Sequence, residues 1–228
     1  MVEKNILINY KHNNDSRSHL IANRSIVNKL NALERGKNFF DGQREDGYGG
    51  MTDDGSWKPV ASDLVLNYNL TNSSSVLQLN CEKGYLLSEI HQLIPKANVL
   101  GLETSKYAID NSNSYFKSRI IKWDGLNIPF ENKTFDLIIC IGYIYTLNLS
   151  GITEILTEIN RVSKKSSFIN LATYNNAQDL EIFKNWSLLG TTVLKKNEWE
   201  KVLSKNNYTG DYWFVDSGHL NLIEEKNM

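Results

Sequence analysis

The feature that most constrains this chain lies between residues 76 and 103. An apolar run, Val76-Leu77-Gln78-Leu79, ends in Asn80-Cys81-Glu82-Lys83-Gly84, and an amphipathic stretch opens at once with Tyr85-Leu86-Leu87. A second apolar run, Val99-Leu100-Gly101-Leu102, stops at the carboxylate of Glu103. Short apolar runs around a glycine-containing turn and a helical pattern predict a strand, a tight turn, a helix and a second parallel strand. The acidic side chain falls about 20 residues past the turn, the spacing at which a nucleoside-binding βαβ unit meets a ribose. Such a turn lets backbone N–H groups and a helix N-terminus face a small ligand, while the carboxylate accepts from two hydroxyls.

The remaining chain repeats this alternation. Residues 1–16 are polar and read as a loose end. Leu20, Ile21, Val27, Leu30 and Leu33 recur at helical spacing and predict one helix from Ser16 to Gly36. A glycine-rich loop over Asp41–Gly50 leads through Trp57 to a helix over Pro59–Tyr68, with proline at its start. Tyr48 and Trp57 either clamp a flat ligand or pack on the core as ordinary loop aromatics. Further helices are expected at Gly84–Leu93, Lys106–Phe116, Thr153–Val162, Asp179–Leu189 and Asn197–Ser204. Strands are expected at Asn98–Glu103, Arg119–Lys122, Phe135–Ile141 and Ser167–Ala172. Tyr212–Val215 and His219–Ile223, joined by Asp216-Ser217-Gly218, read as a hairpin. The expectation is an α/β sheet with helices on both faces, with residues 1–44 an N-terminal arm and helix and 45–228 the main domain.

Composition excludes several classes. With 228 residues, 41% of them hydrophobic and 22% charged, the chain can build a full core. A formal net charge of −1 gives no global field for nucleic acid or an anionic membrane, so neither partner is expected. Cys81 and Cys140 are poor material for a disulfide framework or a zinc site, so no metal is expected. The start lacks a signal-peptide pattern and no apolar run approaches a membrane span, which predicts a cytoplasmic protein.

Three motifs carry a family resemblance: Asp124-Gly125-Leu126-Asn127-Ile128-Pro129-Phe130, Lys133-Thr134-Phe135-Asp136-Leu137-Ile138 and Glu158-Ile159-Asn160-Arg161-Val162. With the order of elements, from about residue 45 to 225, they resemble the class I S-adenosylmethionine-dependent methyltransferases. Residues 48–61 and Tyr208-Thr209-Gly210-Asp211-Tyr212 are similar to a bacterial subgroup found in surface-carbohydrate gene clusters. The resemblance implies a Rossmann-like, mostly parallel seven-stranded sheet with a C-terminal antiparallel hairpin, and S-adenosylmethionine as cofactor. It implies that Glu103 holds the ribose and Asp124 the adenine amino group, with Trp123 or Gly125 beside the base. Gln78, Asn80, Glu82 and Gly84 would then line the turn under the methionine part, with Tyr48 and Trp57 over the ligand and Ile141 or Gly142 near the sulfonium. By their residue types alone, Glu103 reads equally as a solvated strand end and Asp124 as a turn former.

The chain departs from the family turn, because Gln78, Asn80 and Glu82 stand where an acidic residue and two glycines are usual. Asn80 tolerates positive φ, so the turn can keep its shape. Glu82 adds a carboxylate that would repel the carboxylate of the methionine part or pair with its ammonium. Tyr143 and Tyr145 follow the fourth strand where many relatives carry a histidine; Tyr145 is the candidate for orienting an acceptor hydroxyl, although a reference pKa near 10 makes it a poor base. His12, His19, His91 and His219 do not cluster by sequence. The expected activity is methyl transfer to an O or N atom of a small molecule, a sugar or nucleotide-sugar precursor of a surface glycan. The alternatives are an inactive methyltransferase-like binding or partner subunit and, third, a dinucleotide-binding oxidoreductase. A homodimer or a partner methyltransferase stays open.

Overall fold

The computed structural model describes residues 1–10 and 17–222. Its framework is one sheet of six strands: β1 (Ser75–Leu79), β2 (Asn98–Glu103), β3 (Ile120–Lys122), β4 (Phe135–Cys140), β5 (Ser163–Ala172) and β6 (Asp211–Val215). All pairs are parallel in the order β3-β2-β1-β4-β5-β6, with Leu79 level with Leu102 on one side and with Cys140 on the other. The central strands are apolar on both faces because helices cover both. Leu77, Leu79 and Ile138 face the helix α8 (Leu149–Val162) and the buried Trp199, whereas Val76, Leu137 and Ile139 face the other layer with Leu64, Leu87 and Ile90. This alternation follows from the two-residue period of a strand.

The other helices are α1 (Ser18–Asn23), α2 (Ile26–Leu33), α3 (Lys37–Asp41), α4 (Lys58–Asn67), α5 (Tyr85–Leu93), α6 (Lys106–Asp110), α7 (Ser114–Lys117), α9 (Ala177–Trp186) and α10 (Lys196–Lys205). The helix expected over 16–36 is broken at Arg24 and Ser25, whose backbones are extended, and Ser25 recaps the chain through a reciprocal bond with Asn28. Ser16 itself lies outside the described residues. Val27, Leu30 and Leu33 of α2 turn outward, each more than half exposed, while Ala32 is the buried residue of that helix. The helix expected over 106–116 divides because the Asn113 side chain starts a new turn by accepting from the Tyr115 N–H. Helix α8 begins at Leu149 because the Asn148 side chain accepts from the Gly151 N–H at 2.9 Å.

The C-terminal hairpin and the seventh strand are corrected by this topology. β6 runs parallel to β5, with Phe168 opposite Asp211 and Ala172 opposite Val215, and no strand returns beside it among the described residues. Asp216 instead folds the chain over itself by accepting from the His219 N–H at 3.0 Å, and Ile223 lies outside the described residues. Residues 1–10 are not loose. Lys4 N–H donates to the Tyr212 carbonyl at 2.8 Å, Tyr212 N–H donates to the Val2 carbonyl at 3.1 Å, and Ile6 is buried in the core. Residues 11–16 of that expected loose end, His12 among them, lie outside the described residues. No helix among the described residues is long and apolar enough to cross a membrane.

Candidate active site

The turn after β1 sets the site. Asn80, Glu82 and Gly84 all adopt left-handed backbones, with φ of +52°, +56° and +79°. The turn thus has a shape that suits glycine while carrying glycine only at Gly84. Asn accepts this region readily; for Glu it costs about 1–2 kcal/mol. Gly84 caps α5, and a Cβ there would stand 3.0 Å from Ile120 Cδ1. Above the turn, Lys83 Nζ reaches Asp41 at 2.6 Å and the Met51 carbonyl at 2.8 Å, and Tyr107 OH donates to Asp41 at 2.8 Å. These bonds fasten the segment around α3 across the carboxyl ends of the strands.

Beneath that roof lies a cavity of about 470 Å³, a size suited to a small molecule. Gln78, Asn80 and Glu82 line one end, and Ile141 and Gly142 follow from β4. Gly142 is held by its N–H, which donates to the Asn170 side chain at 2.6 Å. Trp57 lines the wall and packs on Tyr10, with ring centroids 4.5 Å apart. Tyr48 donates its hydroxyl to the Glu82 carboxylate. Glu82 has protein on every side yet keeps some exposure to the cavity; burial pushes its pKa up to about 7, against the opposing Tyr48 hydrogen bond and the Arg35 charge. The buried side-chain oxygens of Gln78 and Asn80 have no hydrogen-bond donor among the described residues. This end of the cavity is therefore rich in acceptors, a chemistry that asks for a cation or for N–H donors.

The other sequence-predicted binding residues lie outside the cavity lining. Glu103 is fully buried, and its carboxylate accepts from the Ser105 N–H at 2.6 Å, the Glu82 N–H at 2.7 Å and Arg35 Nη2 at 3.1 Å. Arg35 reaches it from the end of α2, with its guanidinium about equally close to the Phe39 and Phe40 rings. Burial works against the arginine's charge, but the Glu103 carboxylate more than offsets this and raises the Arg35 pKa. Asp124 is exposed and spends its carboxylate on the Leu126 N–H (2.8 Å), the Asn127 N–H (2.9 Å) and the Asn127 amide (2.8 Å). Trp123 is buried and donates to the Asn127 carbonyl at 2.6 Å; Gly125 receives the Tyr143 hydroxyl on its carbonyl at 2.8 Å. The motifs at 124–130 and 158–162 belong to one fastening: Arg161 donates to the Ile128 and Phe130 carbonyls at 2.8 and 2.7 Å, and Glu158 accepts from the Ile128 N–H at 2.9 Å.

Of the two tyrosines singled out after the fourth strand, Tyr145 lines the cavity and Tyr143 does not. Burial, then the nearby Glu82 charge, pushes Tyr145 up to about 12, which removes it as a base at neutral pH. A better-placed basic group is His219. It lines the cavity beyond Val215, and its Nδ1 lies 2.6 Å from Asp216 Oδ1. Asn175 donates to the other Asp216 oxygen at 3.0 Å. Burial works to raise the Asp216 pKa, but the His219 N–H, the Asn175 amide and the imidazole hold it below the ordinary carboxylate value. A carboxylate can only accept, so Nδ1 carries the proton and Nε2 is the basic atom. His91 pairs instead with Tyr115. The Asp216-His219 spacing directly after an apolar strand is the signal that marks this pair; nothing in the sequence marks Arg35 as the partner of Glu103.

Comparison with known proteins agrees with this architecture. Residues 76–166 match the family model of a methyltransferase domain. Among solved structures, the YcgJ protein of Bacillus subtilis is 16% identical with a TM-score of 0.53, over 64% of this chain and 66% of its own. A Bacillus halodurans protein taken to be a methyltransferase is 18% identical with a TM-score of 0.53, over 64% and 67%. A third likeness, 16% identical with a TM-score of 0.53 over 68% and 70%, is to the complex of the Haloferax volcanii Trm112 methyltransferase activator with a protein taken to be a methyltransferase. The chain thus spans about two thirds of the length of these structures. No curated protein matches at the level of sequence. The fold is of the Rossmann-like α/β kind. Residues 76–166 are thus similar to a methyltransferase domain, and the solved structures share its fold.

Proposed function

We propose that this enzyme methylates an O or N atom of a small molecule held in the cavity, between the ends of β4 and β6. A sugar or nucleotide-sugar is the acceptor class that the subgroup motifs favour. The observation that carries the proposal is the acceptor-rich end of the cavity at Gln78, Asn80 and Glu82, which fits the ammonium of the methionine part. When bound, S-adenosylmethionine supplies an electrophilic methyl group on a sulfonium. Glu103 would serve the ribose once Arg35 gives way, and the exposed Asp124 lies nearest the adenine in the family pattern.

This chain's own contribution is then positioning and proton removal. The ends of β4 and β6 are two strand spacings apart, about 10 Å, which leaves room for a sugar-sized acceptor between them. His219 Nε2 takes the acceptor's proton, and Asp216 stabilises the resulting imidazolium. Tyr145, protonated, can donate a hydrogen bond to the acceptor but not deprotonate it. Calorimetric titration with S-adenosylmethionine and S-adenosylhomocysteine, beside an Asn80→Leu variant, tests the cofactor end. Micromolar binding weakened by the variant is expected; binding indifferent to it would overturn the assignment of the acceptor-rich end.

A further inference from the structure

The lining of the same cavity also carries cations. Arg24 and Arg44 line it from the break between α1 and α2 and from the loop after α3. Neither forms an ion pair among the described residues, whereas Arg35, also on the lining, is neutralised by Glu103. Arg24 is fixed by main-chain carbonyls, those of Glu45 and Arg44 at 3.2 Å each, Gly47 at 3.5 Å and Trp186, and its guanidinium lies 5.8 Å from the centre of the Trp186 ring. It lends charge and a rigid frame rather than free donors. Arg44 spends one N–H on the Gly47 carbonyl, and its Nε and Nη2 groups have no acceptor among the described residues. Burial and mutual repulsion lower the pKa of Arg24 to about 10, and burial lowers that of Arg44, so bringing the two guanidinium charges together here is unfavourable. Glu45 acts on both arginines only at longer range, and an arginine pair with no carboxylate in direct contact among the described residues of a ligand-sized cavity is the arrangement that recognises phosphate or carboxylate.

We propose that the Arg44 guanidinium, backed by Arg24, binds an oxyanion carried by the methyl acceptor. The inference rests on the methyltransferase reading in assigning the anion to the acceptor. It deepens that reading by making the acceptor a phosphate- or carboxylate-bearing molecule rather than a neutral one.

The test uses the full chain and three calorimetric probes, glucose 1-phosphate, glucuronate and glucose, each with and without saturating S-adenosylhomocysteine. At least one charged probe is expected to bind while glucose does not, and the phosphate and carboxylate arms separate the two oxyanions. Arg44→Gln should weaken the charged probe about 10- to 100-fold, and Arg44→Lys by less, because a charge-assisted fork is lost in the first and a point charge kept in the second. S-adenosylhomocysteine affinity should stay unchanged in both variants. Equal binding of charged and neutral probes, or a charged probe indifferent to Arg44→Gln, would overturn the proposal. So would a parallel loss of S-adenosylhomocysteine binding, since Arg44 would then hold the cofactor's own carboxylate. Charged-probe binding by a protein that never binds S-adenosylhomocysteine would sink the methyltransferase reading and leave the oxyanion site standing.

Discussion

Arg35 covers the carboxylate at the end of β2, so substituting it should separate stability from cofactor affinity. Its Nη2 lies 3.1 Å from Glu103, and the pair is buried, with 17% of the arginine side chain and none of the glutamate exposed. Removing one member of a buried pair costs about 3–5 kcal/mol in general. Glu103 keeps the Ser105 and Glu82 N–H groups, and a glutamine at position 35 keeps an amide donor, so the low end applies. We expect Arg35→Gln to lower stability by about 3 kcal/mol in urea unfolding and the melting temperature by roughly 6–12 °C, the scaling for domains of this length. If Glu103 holds a ribose as proposed, displacing the native arginine from it draws on that same energy. Arg35→Gln should therefore bind S-adenosylhomocysteine about tenfold more tightly by calorimetry, the equivalent of 1.4 kcal/mol. Arg35→Lys, which keeps the charge, should lie between the two. A variant that loses stability without gaining affinity would refute the argument, because Arg35 would not then stand in the cofactor's way.

Two further outcomes follow from the titratable groups. Burial pushes Glu82 up to about 7 from its ordinary 4.5, so it has no cost below about pH 4.5, and the destabilisation builds as pH rises from there through 7. Glu82→Gln should therefore gain on the native protein by about 2–3 kcal/mol between pH 4.5 and 8 in urea unfolding, allowing for screening by cavity water; a difference independent of pH would contradict the assignment. With an acceptor in hand, His219→Ala should lower kcat by about 10²–10⁴-fold while S-adenosylhomocysteine affinity holds. An unchanged kcat would remove His219 as the base.

The strands were readable because each is an apolar run between turn residues: Asn98–Glu103 lies in the fold as its pattern predicts, and Phe135–Ile141 ends one residue early. The errors arose where local pattern met tertiary contact. Val27, Leu30 and Leu33 have helical spacing, but the cap at Ser25 rotates them to solvent. The tail alternates like a hairpin, yet β6 finds its partner in β5, and beyond it the Asp216 side chain and a turn closed by Asn221 N–H on the Gly218 carbonyl reverse the chain with no returning strand among the described residues. In the site, the left-handed turn was legible because Asn80 and Gly84 suit it. The Arg35–Glu103 pair was not, since it joins residues 68 positions apart through a backbone path that no local pattern encodes.

The Val2–Lys4 stretch along β6 has a consequence for how this protein behaves in concentrated solution. A terminal strand presents a row of unpaired N–H and C=O groups on which a second molecule can build. Here Tyr212 spends both its groups on Val2 and Lys4, and Lys4 adds an ion pair to Asp211 at 2.8 Å. The first few residues act as a selvage for the sheet: a narrow border, with a lysine in it, that stops the weave from being continued by a neighbour.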